Sequence, residues 1–466
     1  MTSTIKLFLR RLNPLHWINL MKREVIHDRI EEFLKEYVET QERLNEWSAN
    51  RETSTFDLSS LSMFSVLGNQ SITKRGHEFL VEAADLLRQR QDFAGRFTRN
   101  SVYEQLQRSI SEEISQISPR RNFSEYKVVQ HAEAALEQND ATSSRYVFPA
   151  VISSKQVTID LELGPARVLS KQQFRDELGP LLEKEQYLKP SEEAMFAQLM
   201  EDWEKYADEY HYFIVVQIDR CEPEMAWRAA RSVSEYVLNT IRLWLPHRDA
   251  SEIRLAGARR PERSQSALRI DIDDTIHPSR NLKFEGASIE ASWIAQLNDT
   301  LEPLMEMLSS IASVFASPKS SSHPVVDRLR YANQLISEAY SDDSVRIRVV
   351  KLVSALEALA VLPKDEKADT LAKRCSIAIS STAPGSENAV RDTVLRLYKE
   401  RNQVVHGDSI SDLTAWAVLD DLDQYLGLIV ICSMGVLVRV HNQHRPQSNK
   451  PLRKYVAAEY ERLSQL

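Results

Sequence analysis

The stretch from Gln424 to Val438, QYLGLIVICSMGVLV, contains no charged residue and constrains the fold more than any other segment. It is shorter than the roughly 18–20 apolar residues a bilayer span needs. A helix that is apolar on every side must therefore be enclosed by other elements. The neighbouring sequence can supply them, because from His323 onward every periodic signal is helical. DSVRIRVVKLVSALEALAVL places Val345, Val349, Leu352, Val353, Leu356 and Leu359 on one stripe, and KADTLAKRCSIAI follows as a shorter helix. These patterns predict an all-helical C-terminal part, with residues 424–438 as its core helix.

Upstream the pattern differs. Residues 23–138 read as charged amphipathic helices, such as DRIEEFLKEYVETQERLNEW and GHEFLVEAADLLRQRQ, broken by a Ser/Thr-rich loop, RETSTFDLSSLSM. Short β-branched or alternating segments then take over: RYVFPAVI, QVTIDLEL, YHYFIVVQID, EIRLAG and ALRIDID. One helix, MAWRAARSVSEYVLNTIRLWL, lies among them, and LNDTLEPLMEMLSSIASVFA closes the region. SPKSSSHP, residues 317–324, has the composition of a linker. The reading is an α+β chain, mostly α, in three parts: a helical region 1–144, an α/β domain 145–318 and a helical bundle 319–466. Such a boundary predicts that the bundle folds alone.

The N-terminal MTSTIKLFLRRLNPLHWINLMKR mixes apolar and basic residues without an acid, which suits either a membrane-surface helix or a first helix packed on the body. No stable membrane insertion is expected. Cys221, Cys375 and Cys432 are too far apart for a CxxC pair and fit a reduced, cytoplasmic chain. The net charge of −8 excludes a chain-wide basic field for nucleic acid. That acidity is uneven. Residues 323–466 hold 19 Lys and Arg against 18 Asp and Glu, leaving 40 against 49 upstream, so a phosphate finds its better docking ground in the C-terminal part.

The informative helix ends in YKERNQVVHGDS. Val390, Val394, Leu397, Tyr398, Val404 and Val405 recur at spacings of three and four, and Arg401 falls inside their stripe. A guanidinium keeps its proton, so a buried one needs a carboxylate, an interface or a ligand anion. Glu357 and Asp420 are both candidate partners. His406 stands just before Gly407, a helix-ending residue, and the macrodipole favours an imidazolium there. Five residues separate Arg401 from His406, about 140° around an ideal helix. Both can address one ligand only if the last turn loosens or a second subunit closes the site.

Arg401, Asn402 and His406 spell Arg-polar-x3-His, which resembles the signature of HEPN domains, the helical domains of bacterial toxins, CRISPR effector nucleases and other antiviral RNases. The preceding KLVSALEALAVLPKDEKADTLAKRCSIAI resembles the Apea-like branch, with its Leu-Glu-Ala-Leu helix followed by a Leu-Ala-x-Arg helix. The similarity covers residues 323–440. It implies a homodimeric toxin or antiphage endoribonuclease that needs no metal or other cofactor, with RNA as its partner. In that chemistry a substrate 2′-hydroxyl attacks the adjacent phosphate, with His406 as general acid or base, Arg401 as the clamp on the growing charge and Asn402 as an orienting group. Arg374 is a candidate phosphate contact and Glu357 a candidate partner for Arg401. A separate regulatory chain would fit the toxin reading, and residues before about 320 would then sense or restrain. The rival reading is a non-catalytic module that binds RNA or nucleotide, or mediates assembly.

Other patterns carry less. RIDIDDTIHP sets Asp271 and Asp273 on one strand face near His277, which could hold a metal but reads better as an exposed face running into a turn. HNQH, residues 441–444, has ligand spacing without a supporting acid or thiol and reads as a polar helix end. The chain has no Walker A loop, no GxGxxG after a strand, no GxSxG elbow and no Gly-Ser…Asp-x-Asp nucleotidyltransferase pattern.

Overall fold

The computed structural model describes residues 14–49, 61–67, 70–90, 93, 96–116, 124–138, 143–154, 157–182, 201–205, 207–219, 221–256, 264–270, 276–282, 287, 289–317, 323–407, 411–446 and 448–465. Two compact units form. The first takes residues 1–144, 219–226 and 318–321, and the second takes 145–218, 227–317 and 322–466. The architecture is α+β and mostly helical, as the periodicities predict.

The first unit contains α1 (Pro14–Ala49), a hairpin of β1 (Leu61–Leu67) and β2 (Gln70–Thr73), α2 (Lys74–Arg88), α3 (Arg99–Gln116) and α4 (Glu125–Gln138). The hairpin begins in the last three residues of the Ser/Thr-rich stretch, whose residues 51–60 lie outside the described residues. Thr73 ends its second strand and caps α2, its hydroxyl accepting from the Gly76 N–H at 3.0 Å. Ile26, Ile30, Phe33, Leu80, Leu106 and Val128 form the centre of an apolar core shared by the four helices.

The second unit opens with a five-stranded sheet in the order β4, β5, β6, β3, β7, where β3 is Ser144–Val151, β4 Leu161–Leu163, β5 Ala166–Ser170, β6 Tyr212–Ile218 and β7 Arg254–Leu255. β4 pairs antiparallel with β5, β5 with β6, and β3 with β7. The expected ALRIDID strand belongs elsewhere, in a separate hairpin of β8 (Ser264–Ile270) and β9 (Ile276–Leu282). Between the strands lie α5 (Lys171–Leu182), α6 (Pro223–Arg242) and the short α7 (His247–Ala250). α8 (Ala291–Leu301) and α9 (Met305–Ala316) are parted by one 3₁₀ turn holding Pro303, whose ring cannot sit inside a continuous helix.

Six helices complete this unit: α10 (Pro324–Ser341), α11 (Val345–Ala360), α12 (Lys367–Ile379), α13 (Glu387–His406), α14 (Asp412–His444) and α15 (Asn449–Leu463). α14 is central and packs against α9 to α13 and α15. By length and composition it could cross a membrane, yet 72% of its most apolar stretch is buried inside the unit. Gly427 lets it approach α6, since a Cβ there would meet the Leu243 carbonyl oxygen at 3.0 Å. Gly435 admits Met307 of the segment before residue 318.

Polar bonds reinforce that packing. The buried Arg242 guanidinium donates from Nε to the Ile253 carbonyl at 3.0 Å and from Nη1 to Asn239 Oδ1 at 2.7 Å. Asn239 in turn donates to Asn333 Oδ1 on α10 at 2.8 Å. His247 bonds Asp423 of α14 through its ring Nδ1, while its backbone N–H donates to the same carboxylate at 3.1 Å. Residues 145–317 and 322–466 thus share one core across the Ser/Pro-rich stretch.

Candidate functional site

The site is built on the end of α13. Val390, Val394, Leu397 and Tyr398 are buried and fix the helix on α11, α12 and α14. The stripe stops there. Val404 is half-buried and Val405 is 52% exposed, so the last turn projects from the core, contrary to the sequence pattern. Gly407 ends the helix in the left-handed conformation at φ 83°, its N–H reaching the Gln403 and Val404 carbonyls. Ser411 caps α14, accepting from the Thr414 N–H at 3.1 Å. The α-helix stays regular through His406, so the loosened turn that would bring Arg401 and His406 together is not present.

Arg401 is half-buried and engaged on three sides. Nη1 donates to Asn402 Oδ1 at 2.9 Å, Nη2 stands 3.7 Å from Glu357 Oε2 on α11, and the guanidinium carbon lies 5.7 Å from the Tyr398 ring centroid. Of the two acids the sequence offers, Glu357 is the partner the structure selects. The pairing is loose, because Arg401 Nε and Glu357 Oε1 are buried without a hydrogen-bond partner. Burial first, and the Glu357 charge second, raise the Tyr398 phenol above its ordinary pKa. This tyrosine reads as one more core residue in sequence; its place three residues before Arg401, within side-chain reach on a helix, was the available signal.

His406 is exposed. With Asn402, four residues earlier on the same face, it lines an open groove of about 390 Å³ that also touches Tyr398, Lys399 and Gln403. Arg401 reaches this groove indirectly, through its bond to the Asn402 amide. The groove therefore offers an exposed imidazole, an oriented amide and a nearby guanidinium. Those groups can move a proton and hold an oxyanion.

Arg374 lies apart from this groove. Its side chain is 11% exposed, donating to the Ala360 carbonyl at 2.6 Å and to Asp365 Oδ2 at 2.7 Å. It ties the turn after α11 through Nη1, and its guanidinium carbon lies 5.4 Å from the Tyr460 ring centroid.

The two metal-like patterns also resolve in part. Asp271 and Asp273 lie outside the described residues, while His277 is on β9. His441 packs edge-on to His323 at 4.6 Å, and His444 stacks on Tyr455 at 4.0 Å, in the last turn of α14. Among the described residues no three His, Cys, Asp or Glu side chains gather as a metal site. Comparison with family models, curated proteins and solved structures found no match.

Proposed function

We propose that this chain is an endoribonuclease of the HEPN type, most similar to the Apea-like branch, acting as a toxin or antiphage effector. The observation that carries the reading is the pairing of Asn402 and the exposed His406 on one open groove, with Arg401 bonded to that same asparagine. His406 exchanges the proton of the attacking 2′-hydroxyl or of the leaving 5′-oxygen. Asn402 orients the phosphate, and Arg401 faces the charge that grows on it. DNA lacks the nucleophile and is refractory.

Arg401 and His406 leave a regular helix about 140° apart, which favours a two-fold partner that brings a second Arg/His pair to the phosphate. Apolar residues near this end of the helices suit such a contact: Val405 beside His406, with Ile347 at 39% and Leu413 at 81% exposure. The Arg346–Asp412 ion pair at 2.8 Å joins the ends of α11 and α14 that carry the last two. The stretch 424–438 is buried within its own unit and takes no part in that contact.

A second reading has its own support. The Glu357 and Tyr398 contacts would also suit a purely structural arginine in a non-catalytic RNA-binding or assembly module. Incubation of purified protein with total RNA in EDTA separates the two. The nuclease reading expects fragments ending in 2′,3′-cyclic phosphate and 5′-hydroxyl groups. Intact RNA at protein concentrations that bind it would favour the rival.

A further inference from the structure

A second groove, of about 630 Å³, opens beside Glu357 on α11 and lies within the size range of small-ligand sites. The turn that forms its lip is rigidly tied. Arg328 donates to the Ala358 and Val361 carbonyls at 2.8 Å each, Arg374 to Ala360 and Asp365, and Arg453 to Asp365 Oδ1 at 3.0 Å. These bonds satisfy the open carbonyls of α11, a need that helix ends always present. They also hold Lys364 in the left-handed region at φ 76°, unusual for a residue with a side chain. Lys364 and Lys367 are exposed on this rim, and among the described residues neither ammonium has an acid within ion-pair distance.

The groove wall adds Tyr331, a residue 55% exposed, and the apolar Val361, Leu362 and Pro363. An exposed aromatic, a flat apolar wall and a pair of free cations are what a stacked base and its phosphate need. Three carboxylates also line it: Asp365, already paired with Arg374 and Arg453, and then Asp327 and Glu357. The last two would repel a phosphate but accept hydrogen bonds from the exocyclic amino group of a base. Uracil has no such group.

We propose that this groove binds a nucleotide flanking the cut, with its base on Tyr331, its amino group on Asp327 and its phosphate on Lys364 and Lys367. The assignment rests on the ribonuclease reading and goes beyond it, because it sets which RNA is preferred. Glu357 connects the two sites: one oxygen faces Arg401 and the residue lines this groove.

The test uses the full chain with short 2′-O-methyl oligoadenylate and oligouridylate, which bind but cannot be cut, beside cleavage of unmodified RNA. Wild type should prefer oligoadenylate. Tyr331→Ala should weaken that binding roughly ten-fold. Asp327→Ala, which removes the acceptor, should erase the preference over oligouridylate. Tyr331 is exposed enough that its variant should melt like wild type. Equal binding by wild type and Tyr331→Ala, with RNA still cut, would overturn the groove and leave the His406 centre standing. Tyr331-dependent binding without cleavage would do the reverse. A wild type that binds neither oligomer would also overturn the groove.

Discussion

Arg401 shows how a residue can be partnered without being used up. Its guanidinium has an amide, a loose carboxylate and a ring around it, yet Nε remains without an acceptor. Helical period exposed this residue in the sequence, because an arginine on an apolar stripe is expensive wherever the stripe is buried. It did not reveal that the stripe leaves the core at Val404, since burial depends on where neighbouring helices end. Arg374 was equally opaque. Its role is set by Ala360 and Asp365, which only the turn between α11 and α12 brings to it. His441 supports a prediction at this scale. Burial, reinforced by His323 and Arg445, pushes its imidazole down to about 4, and His323 is lowered as well, chiefly by burial. The unfolded chain then binds more protons than the native one below the ordinary value of 6.5. Stability from neutral His441 is complete above that pH and is lost as pH falls toward 4. Thermal melting across this window should show a falling Tm, with a shallower fall in His441→Gln; identical slopes would refute the assignment.

At the scale of elements, the long amphipathic helices and β3, β4, β6, β7 and β8 were readable, each strand overlapping an expected strand segment, while β1, β2, β5 and β9 were not. β5, ARVLS, carries an arginine in five residues and becomes a strand because β4 and β6 flank it in the sheet. Tertiary pairing decides such segments, and local propensity is a weak guide to them. The Ser/Pro-rich stretch before α10 suggested a domain boundary for a related reason: composition reports a break in periodicity, not whether the flanking elements share a core. α9 and the end of α6 cover α14, and Asn239 bonds Asn333 across the stretch. Cutting there would remove Leu243, Trp244 and Met307 from the faces of α14 at Gly427 and Gly435. We therefore expect residues 319–466 alone to aggregate or to lack a cooperative melt. A soluble fragment with a sharp transition would show that the helices close over α14 without help.

At the scale of the whole molecule, the candidate site combines residues that the sequence grouped by spacing and that the fold separates by face. Asn402 and His406 share a groove, while Arg401 adjoins Glu357 and the second groove beyond it. Two chains meeting at the end of α13 would supply both faces at once, and the exposed Val405 and Leu413 lie near that end. In the proposed nuclease, His406 and Arg401 do the chemistry. The most direct test of this is the rate at which wild type, His406→Ala and Arg401→Ala cut one RNA in EDTA, alongside their melting curves. Both variants should lose about two to four orders of magnitude in rate with Tm nearly unchanged, the scale for a lost proton carrier or oxyanion partner. Variants that fold normally and cut at the wild-type rate would contradict it.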